Sequence, residues 1–318
     1  MSSAGPAVAA RPGVAYVAPD RRSAKRRALW ARRAPLLPAL VFLIVTTQLP
    51  FLVTLVVSLT DWNALYPQNR GFAGLDNFVT VFQTAALRSA VVTTVVLTVT
   101  VVLVSLVLGL GLALLLDRKF LGRGVVRTLL IAPFLLVPVA AALLWKHVLL
   151  NASYGLVNGT LNAVWSFFGA APPQVAWAST FPLLSIEVAL IWQWTPFMML
   201  ILLAGLQSMP QDAVEAANVD GASSVQVFRF ITFPHLRRYL ELGALLGSIY
   251  IVQNFDAVFT ITQGGLGTAN LPYTIYRTFF QAQNYGLASA MGVLTVIATI
   301  VIATLGLRVM STLLSEES

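Results

Sequence analysis

The sequence predicts an all-α, polytopic membrane protein with six transmembrane helices, and three observations carry that prediction. Hydrophobic residues make up 58% of the 318 positions and charged residues only 10%, which is too apolar for a soluble domain. The apolar residues form continuous runs rather than the alternating segments of a β-barrel. Six runs approach or exceed the roughly 20 residues that cross a bilayer, namely 34–60, 89–116, 128–145, 188–211, 242–276 and 278–307.

Three of the runs need comment as helices. In the second run, Gly109 and Gly111 are expected to allow close helix packing. The third run is short, and we expect it to continue as one helix to Leu150. The fifth run contains one charged residue, Asp256, and its usable span is about residues 241–263, which places Asp256 in the middle of a helix.

Basic residues predict the orientation. Lysine and arginine concentrate before the first run and in the second and fourth loops. The positive-inside rule then places both termini and the loop 207–240 in the cytoplasm. Residues 1–34 are expected to be a disordered basic arm, residues 35–313 the transmembrane domain and residues 314–318 a short tail. The net charge of +8 is explained by attraction to anionic membrane lipid, so no nucleic-acid partner is predicted.

Several kinds of chemistry are missing from the sequence. There is no cysteine and there are only two histidines, which excludes disulfides and a Cys/His metal site. No lysine lies in a G-x-x-x-x-G-K phosphate-binding loop, so the chain has no ATPase site of that type. We therefore predict a protein without catalytic residues, cofactor or metal.

A polar element between the fourth and fifth runs is the most informative segment. Ser208 and Gln211 match a capping box that would begin a helix, and Gly221 suits the left-handed position that ends one. Helices that only lie on a membrane surface usually carry basic residues, whereas this one carries acidic residues. Docking on another protein is therefore the favoured interpretation, and a surface-lying connector is the alternative.

The segment 215–234 resembles the EAA loop of permease subunits in binding-protein-dependent ABC importers. That pattern is E-A-A, a glycine four residues later, an isoleucine ten residues after the glycine, and a Leu-Pro pair. Here the pair reads Phe-Pro, and the matching positions are Glu215, Ala216, Ala217, Gly221, Ile231, Phe233 and Pro234. Shorter matches at Trp192–Met198, Phe255–Phe259 and Thr262–Gly265 are similar to the maltose-type and sugar-alcohol-type branch of the family.

The resemblance implies a type I ABC importer permease with the MetI-like fold, located in the bacterial cytoplasmic membrane. It implies import of a sugar, oligosaccharide or sugar alcohol by alternating access. The implied partners are a second, non-identical permease subunit, an ATPase subunit dimer and an extracytoplasmic substrate-binding protein. The loop at about 208–236 would couple to the ATPase through Glu215, Ala216, Ala217, Asp220 and Gly221. The alternatives are an ABC permease for a non-carbohydrate substrate, or a non-ABC membrane carrier or assembly protein.

Polar residues in the fifth run predict part of a substrate pathway. A charge inside a bilayer costs roughly 2.5–3.5 kcal/mol, so Asp256 should face a cavity or a partner. The resemblance places substrate contacts at Asn254, and Tyr250, one turn earlier, could stack on a sugar ring. The alternative is a structural hydrogen bond to a neighbouring helix.

The fourth run supplies a second set of candidates. Gln193, Trp194 and Phe197 combine an amide with aromatic rings, which suits a carbohydrate platform. Pro196 is expected to break the hydrogen-bond ladder of the helix, and a proline kink at mid-membrane can open a cavity. The alternative is an aromatic belt at the membrane interface. Glu187 is expected to be a solvated residue at the outer end.

Overall fold

A computed structural model of the chain describes residues 34–169 and 174–316. The predicted basic arm therefore lies outside the described residues except for residue 34, as do the last two residues of the predicted tail. Two compact units are distinguished, residues 1–53 and residues 54–318. The described part of the first unit, residues 34–53, is helical and mostly exposed.

The described chain is almost entirely helical. Two short antiparallel strands, β1 and β2, form its hairpin, with Thr60 opposite Phe72. A π-helical turn at Phe228–Thr232 joins the helix Ser224–Val227 to the helix Phe233–Val252. In chain order the elements are α1 Leu37–Ser58, β1 Thr60–Asp61, β2 Gly71–Phe72, α2 Asp76–Gln83, α3 Ala85–Asp117, α4 Arg123–Leu135, α5 Pro138–Leu149, α6 Leu156–Phe167, α7 Trp177–Thr180, α8 Pro182–Gln207, α9 Gln211–Val219, α10 Ser224–Val227, α11 Phe233–Val252, α12 Asp256–Ile261, α13 Leu271–Tyr276 and α14 Tyr285–Glu316.

The main core of the second unit forms where α3, α8 and α11 pack together around Met198. A Cβ atom at Gly109 of α3 would lie 2.8 Å from Met198 Cβ, so only glycine permits this approach. Gly243 and Gly247 of α11 also lie against the Met198 side chain. The predicted close packing is confirmed at Gly109 but wrong at Gly111, where an added Cβ would meet nothing within 4 Å.

Three helices, α1, α3 and α8, are long and apolar enough to cross a membrane without a break in the described chain. The third predicted span is not one helix, because α4 and α5 meet at an angle of 97°. Leu136 and Val137 are extended between them, with ψ of 141° and 133°. Pro138 explains the break, because a proline disfavours helical geometry in the preceding residue. The prediction of a continuous helix to Leu150 is therefore wrong.

The fifth predicted span is also interrupted. Helix α11 ends at Val252 and α12 begins at Asp256, with residues 253–255 between them. Asp256 thus lies in the first turn of a short helix, and the prediction that it lies mid-helix is wrong. The sixth run forms α14, whose first part, Tyr285–Val301, is an apolar helix of shorter length. By contrast, α8 continues through Pro196 as one helix.

Candidate functional site

The loop after α8 contains a helix that ends in a Schellman motif. Gly221 has φ of +82°, and its N–H donates to Asn218 O over 3.2 Å. The N–H of Ala222 donates to Ala217 O over 2.9 Å, which completes the pair of hydrogen bonds that defines the motif. An added Cβ at Gly221 would meet nothing within 4 Å. The backbone angle alone therefore requires glycine, as the sequence predicted.

The capping box predicted at Ser208 and Gln211 is wrong. Pro210 occupies the cap position of α9, and no side chain caps that helix. The capping box of this loop lies at α10 instead, where Ser223 Oγ accepts from the N–H of Gln226 and Gln226 Oε1 accepts from the N–H of Ser223. Ser208 and Ser223 each precede a glutamine by three residues, so both fit the S-x-x-Q pattern of a capping box. Pro210 gives no reason to reject the first site, because proline is common at helix starts.

Ser208 instead fastens the end of α8 to the beginning of α11. Its Oγ lies 2.7 Å from Tyr239 OH and 3.2 Å from His235 Nε2, and it donates to Gly205 O over 2.8 Å. A Cβ atom at Gly205 would lie 2.6 Å from the Tyr239 ring, so the two helices meet there at close range. The loop is therefore held at its base by contacts that sequence reasoning missed.

The middle of the loop is exposed. Glu215, Ala216 and Asp220 are exposed and Ala217 is half-buried. Within the described ranges, the Glu215 carboxylate has no hydrogen bond or ion pair. Large apolar side chains accompany these residues at the surface, since Val219, Val225 and Phe230 are 87%, 74% and 68% exposed. The structure thus combines a rigid backbone turn with side chains that contact little of their own chain.

The predicted aromatic residues of the fourth and fifth runs meet in one cluster. The Trp194 ring lies 5.3 Å from that of Tyr250 and 5.7 Å from that of Phe197, measured between centroids. Phe134, which sequence reasoning missed, stacks on Phe197 at 5.2 Å and also contacts Trp194. Tyr250 remains 57% exposed, so the cluster presents an aromatic surface rather than a closed core.

Gln193 and Asn254 lie beside this cluster, at a gap too narrow to admit water between α5, α8 and α12. Gln193 is buried and donates from Nε2 to Leu136 O over 3.2 Å, a carbonyl left free by the break between α4 and α5. The Asn254 carbonyl accepts from Asn270 Nδ2, whereas Asn254 Oδ1 is buried without a hydrogen-bond partner in the described chain. Asn254 is thus the residue here with an unused polar atom.

Asp256 is not a lining residue of that gap, nor of the aromatic cluster. It lies in the first turn of α12, and Lys146 Nζ donates to Thr260 O over 2.6 Å near the other end of that helix. An acidic residue at the amino end and a cation at the carboxyl end both favour the helix dipole. This arrangement gives Asp256 and Lys146 a structural role that sequence reasoning missed.

Two further polar residues, Asn270 and Glu187, are buried. Asn270 is fully buried, where its Nδ2 donates to Asn254 O and its Oδ1 accepts from the N–H of Tyr273 at the start of α13. No motif in the sequence distinguished it. Glu187, expected to be solvated, is only 8% exposed and lies beside Thr100 of α3. Its burial follows from the long contact between α3 and α8.

The chain belongs to the family of binding-protein-dependent transport system inner membrane components, whose model matches residues 105–314. This is a family of transport permeases rather than of enzymes, and the predicted location in a membrane is confirmed.

Several characterised and solved proteins are similar to it. The trehalose/maltose transport system permease protein MalF of Thermococcus litoralis is 33% identical over 278 residues, covering 86% of this chain and 91% of that protein. A probable ABC transporter permease protein, y4oQ of Sinorhizobium fredii, is 33% identical over 271 residues, with coverage of 84% and 85%. A chain of a bacterial ABC transporter involved in the import of the polysaccharide alginate superposes with a TM-score of 0.78. That chain is 22% identical, with coverage of 92% and 99%, and it confirms the predicted permease fold.

Proposed function

We propose that this chain is the permease subunit of an ATP-driven importer that carries a sugar, oligosaccharide or sugar alcohol by alternating access. The observation that carries this proposal is the similarity to the trehalose/maltose permease of Thermococcus litoralis, which extends over 86% of the chain. A surface of four aromatic rings beside two carboxamides is chemically suited to such a substrate, because aromatic faces pack on sugar rings and amides bond to hydroxyls.

The loop 208–236 is proposed to dock on an ATPase subunit. Its acidic side chains form no hydrogen bond or ion pair within the described chain and its large apolar side chains are exposed, while its backbone is closed by the Schellman motif and the capping box. Glu215 would pair with a basic residue of the ATPase, and Ala216 and Ala217 would allow the close approach. Asp220 and Gly221 would set the direction of the following helix. The contacts of Ser208 with His235 and Tyr239 would pass movement of the loop to α8 and α11.

The substrate pathway is proposed to involve Trp194, Phe197 and Tyr250 as the aromatic surface, and Gln193 and Asn254 as its polar margin. Asp256, two residues after Asn254, stays a candidate for the pathway although it lines neither the gap nor the aromatic cluster. Asn254 has the strongest individual claim, because its Oδ1 is buried without a partner in the described chain, and such an atom usually accepts a hydrogen bond. Substrate would supply that bond after a movement that opens the narrow gap.

The proposed assembly pairs this chain with a second, non-identical permease, two ATPase subunits and an extracytoplasmic binding protein. Both termini and the loop 208–236 would lie in the cytoplasm, as the distribution of basic residues predicts. The cysteine-free sequence allows a direct check. A single cysteine introduced at Val219, which is 87% exposed, should react with an impermeant thiol reagent in inverted vesicles and not in intact cells. Labelling in intact cells would overturn this topology.

Uptake measurements test the function itself. Cells lacking the gene should lose uptake of one compound in a panel of radiolabelled trehalose, maltose, sorbitol and a control amino acid, and the wild-type gene should restore it. A Glu215→Ala gene should not restore uptake although its product reaches the membrane. Loss of only the amino-acid uptake would retain the permease assignment and overturn the carbohydrate class. If cells lacking the gene took up every compound of the panel as before, the proposal that this chain imports one of them would be overturned.

A further inference from the structure

An apolar groove with a volume of about 670 Å³ lies between α3, α4 and α8, apart from the proposed coupling loop and substrate pathway. Helices α3 and α4 both pack on α8 but are not among the helix pairs that pack extensively on each other. Gly111 widens the groove, since it has no side chain to fill it. The other lining residues are almost all apolar, including Val107, Leu129, Trp145, Val188 and Trp192, and Thr195 supplies the one hydroxyl.

The groove is somewhat longer than the hydrocarbon region of one lipid leaflet. With a rise of 1.5 Å per residue, the lining residues of α3 begin about 8 Å from its end at Asp117. Gly109 lies against Met198, so the carboxyl ends of α3 and α8 are nearly level. Val188, the deepest lining residue of α8, is then about 28 Å from the end of that helix. The groove therefore spans about 20 Å, compared with about 15 Å for half of a bilayer's hydrocarbon core.

The closed end of the α3–α4 hairpin is a basic turn, defined here as residues 117–127. It carries Arg118, Lys119, Arg123 and Arg127 against one acidic residue, Asp117, which gives a net charge of +3. In the part of the chain that the structure describes, none of the four basic side chains forms an ion pair.

Apolar side chains accompany the charges in the basic turn. Leu121 is fully exposed and Val125 is 66% exposed. This mixture of cations and exposed apolar groups is typical of a segment at the headgroup level of a membrane.

We infer that the groove and the basic turn together form a binding site for one anionic phospholipid. The phosphate would lie among the basic side chains of the turn, and an acyl chain would extend into the groove toward Trp192. The distance of about 8 Å between the turn and the first lining residues matches the separation of headgroup and hydrocarbon regions. This inference does not depend on ATP-driven transport, because it concerns only the chain and its membrane.

The observations favour a lipid over a helix of a second permease as the occupant. Thr195 Oγ1, the one hydroxyl in the lining, already donates to Ile191 O over 2.6 Å. The other polar groups of the lining side chains are the indole N–H groups of Trp145 and Trp192, so the groove offers few polar groups for recognition of a protein helix. Exposed Val107 and Leu129 line its entrance, and hydrocarbon is their natural solvent. The uncompensated charge at one end selects a molecule that is apolar along its length and anionic at its head.

Quenching of tryptophan fluorescence by brominated lipids tests the site. The full-length chain is reconstituted with phosphatidylglycerol or phosphatidylcholine brominated on the acyl chains, at equal mole fractions in the same host lipid. Trp145 and Trp192 line the groove, so an occupant lipid should quench them. We expect phosphatidylglycerol to quench more strongly, with a preference of roughly fivefold for each basic residue that contacts the headgroup. The Trp145→Phe/Trp192→Phe variant should lose this excess quenching.

Two kinds of variant test the headgroup contacts of the basic turn and the acyl-chain contacts of the groove separately. Arg118→Gln/Arg127→Gln should abolish the preference for the anionic lipid, whereas the matched control Arg229→Gln/Arg277→Gln, which removes two exposed charges elsewhere, should retain it. Gly111→Leu should lower quenching by both lipids, because its side chain enters the groove without a backbone clash.

Several results would overturn the inference. Equal quenching of the wild type by both lipids would exclude headgroup selection, and an equal loss in both charge variants would show a nonspecific effect of net charge. Unchanged quenching in Gly111→Leu would exclude the groove. Quenching that disappears when the second permease is added would identify a protein helix as the occupant.

Discussion

The loop 208–236 and the break at residues 253–255 interrupt the helical bundle in opposite ways. In the loop, backbone N–H groups bond to nearby carbonyls at Gly221 and to the Ser223 and Gln226 side chains of the capping box, and the side chains in the middle face outward. At the break, a backbone carbonyl is satisfied by a buried side chain, as Asn270 does for Asn254. Exposed side chains without contacts therefore indicate a surface for a partner, whereas buried, hydrogen-bonded side chains indicate a role in holding the fold together. Substitutions in the two regions should therefore fail in different assays.

Glu215→Ala should have the largest effect, and that effect should be confined to binding of the ATPase. Removing one member of a buried charge pair at an interface costs about 2–5 kcal/mol, so affinity for the ATPase should fall by at least tenfold. Co-purification and titration of the ATPase measure this, and thermal unfolding of the isolated chain should be unchanged. Asp61→Ala, which removes a carboxylate from the β-hairpin, is the matched control. Equal affinity of the Glu215→Ala and Asp61→Ala variants for the ATPase would remove the proposed distinction between the loop 208–236 and the break at residues 253–255.

Asn270→Ala should produce the converse result, a loss of stability without direct loss of an ATPase contact. The change removes the cap of α13 and leaves the Asn254 carbonyl unpaired, which together cost about 2–4 kcal/mol. Thermal unfolding in detergent measures the loss. Asn69→Ala, at an exposed position, should change the free energy of unfolding by less than about 0.5 kcal/mol. Similar stability of the two variants would show that the bonds of Asn270 contribute little.

Gly221→Val should act on the direction of the loop. A residue other than glycine at this left-handed position costs about 1–2 kcal/mol, and a β-branched one tolerates it least. We expect coupling of ATP hydrolysis to uptake to fall, as measured in reconstituted membranes with the partner subunits. Gly221→Asn is the control, because asparagine also occurs at this position of the motif. Since an added Cβ meets no neighbour, a failure of both variants alike would exclude backbone angle as the cause.

Asn254→Ala should have the smallest effect, confined to uptake. Its Oδ1 has no partner in the described chain, so truncation should leave stability nearly unchanged while removing one substrate hydrogen bond. Such a bond contributes about 0.5–1.5 kcal/mol, a change of roughly two- to tenfold in apparent affinity. Asp256→Ala, tested beside it, should mainly destabilise α12 if its role is structural. Unchanged uptake by Asn254→Ala would assign the substrate site to other residues.

Sequence reasoning succeeded where a property depends on neighbouring residues. Apolar runs predicted α1, α3 and α8, and the glycine after an acidic amphipathic segment predicted the left-handed turn at Gly221. Trp194, Phe197 and Tyr250 are predicted as pathway candidates from their residue types and positions, whereas the contact between the Trp194 and Tyr250 rings is known only from the structure. These features are determined locally, by periodicity, composition or backbone angle.

The errors concern breaks and long-range contacts. Pro138 is a visible signal for the break between α4 and α5, although hydropathy alone does not register it. The break before Asp256 has no comparable signal in the neighbouring residues. The Asn254 carbonyl at that break accepts from Asn270, which is distant in the sequence. Burial of Glu187 and the contacts of Ser208 likewise depend on which helices pack together. The sequence contains those residues but not their distances.

The setting of Met198 has a consequence for the movement of the bundle. Glycines from α3 and α11 surround this side chain, so the centre of the packing consists of one unbranched thioether against bare backbone. Methionine has three rotatable side-chain bonds and adapts to irregular gaps, whereas interlocked branched side chains would have to separate before helices could slide. A small shift between α3, α8 and α11 at this point can therefore be absorbed by rotamer changes of Met198, although Val102 and Leu106 also pack nearby. Met198 thus makes this crossing of the three helices adaptable, which suits the movement that the proposed alternating access requires.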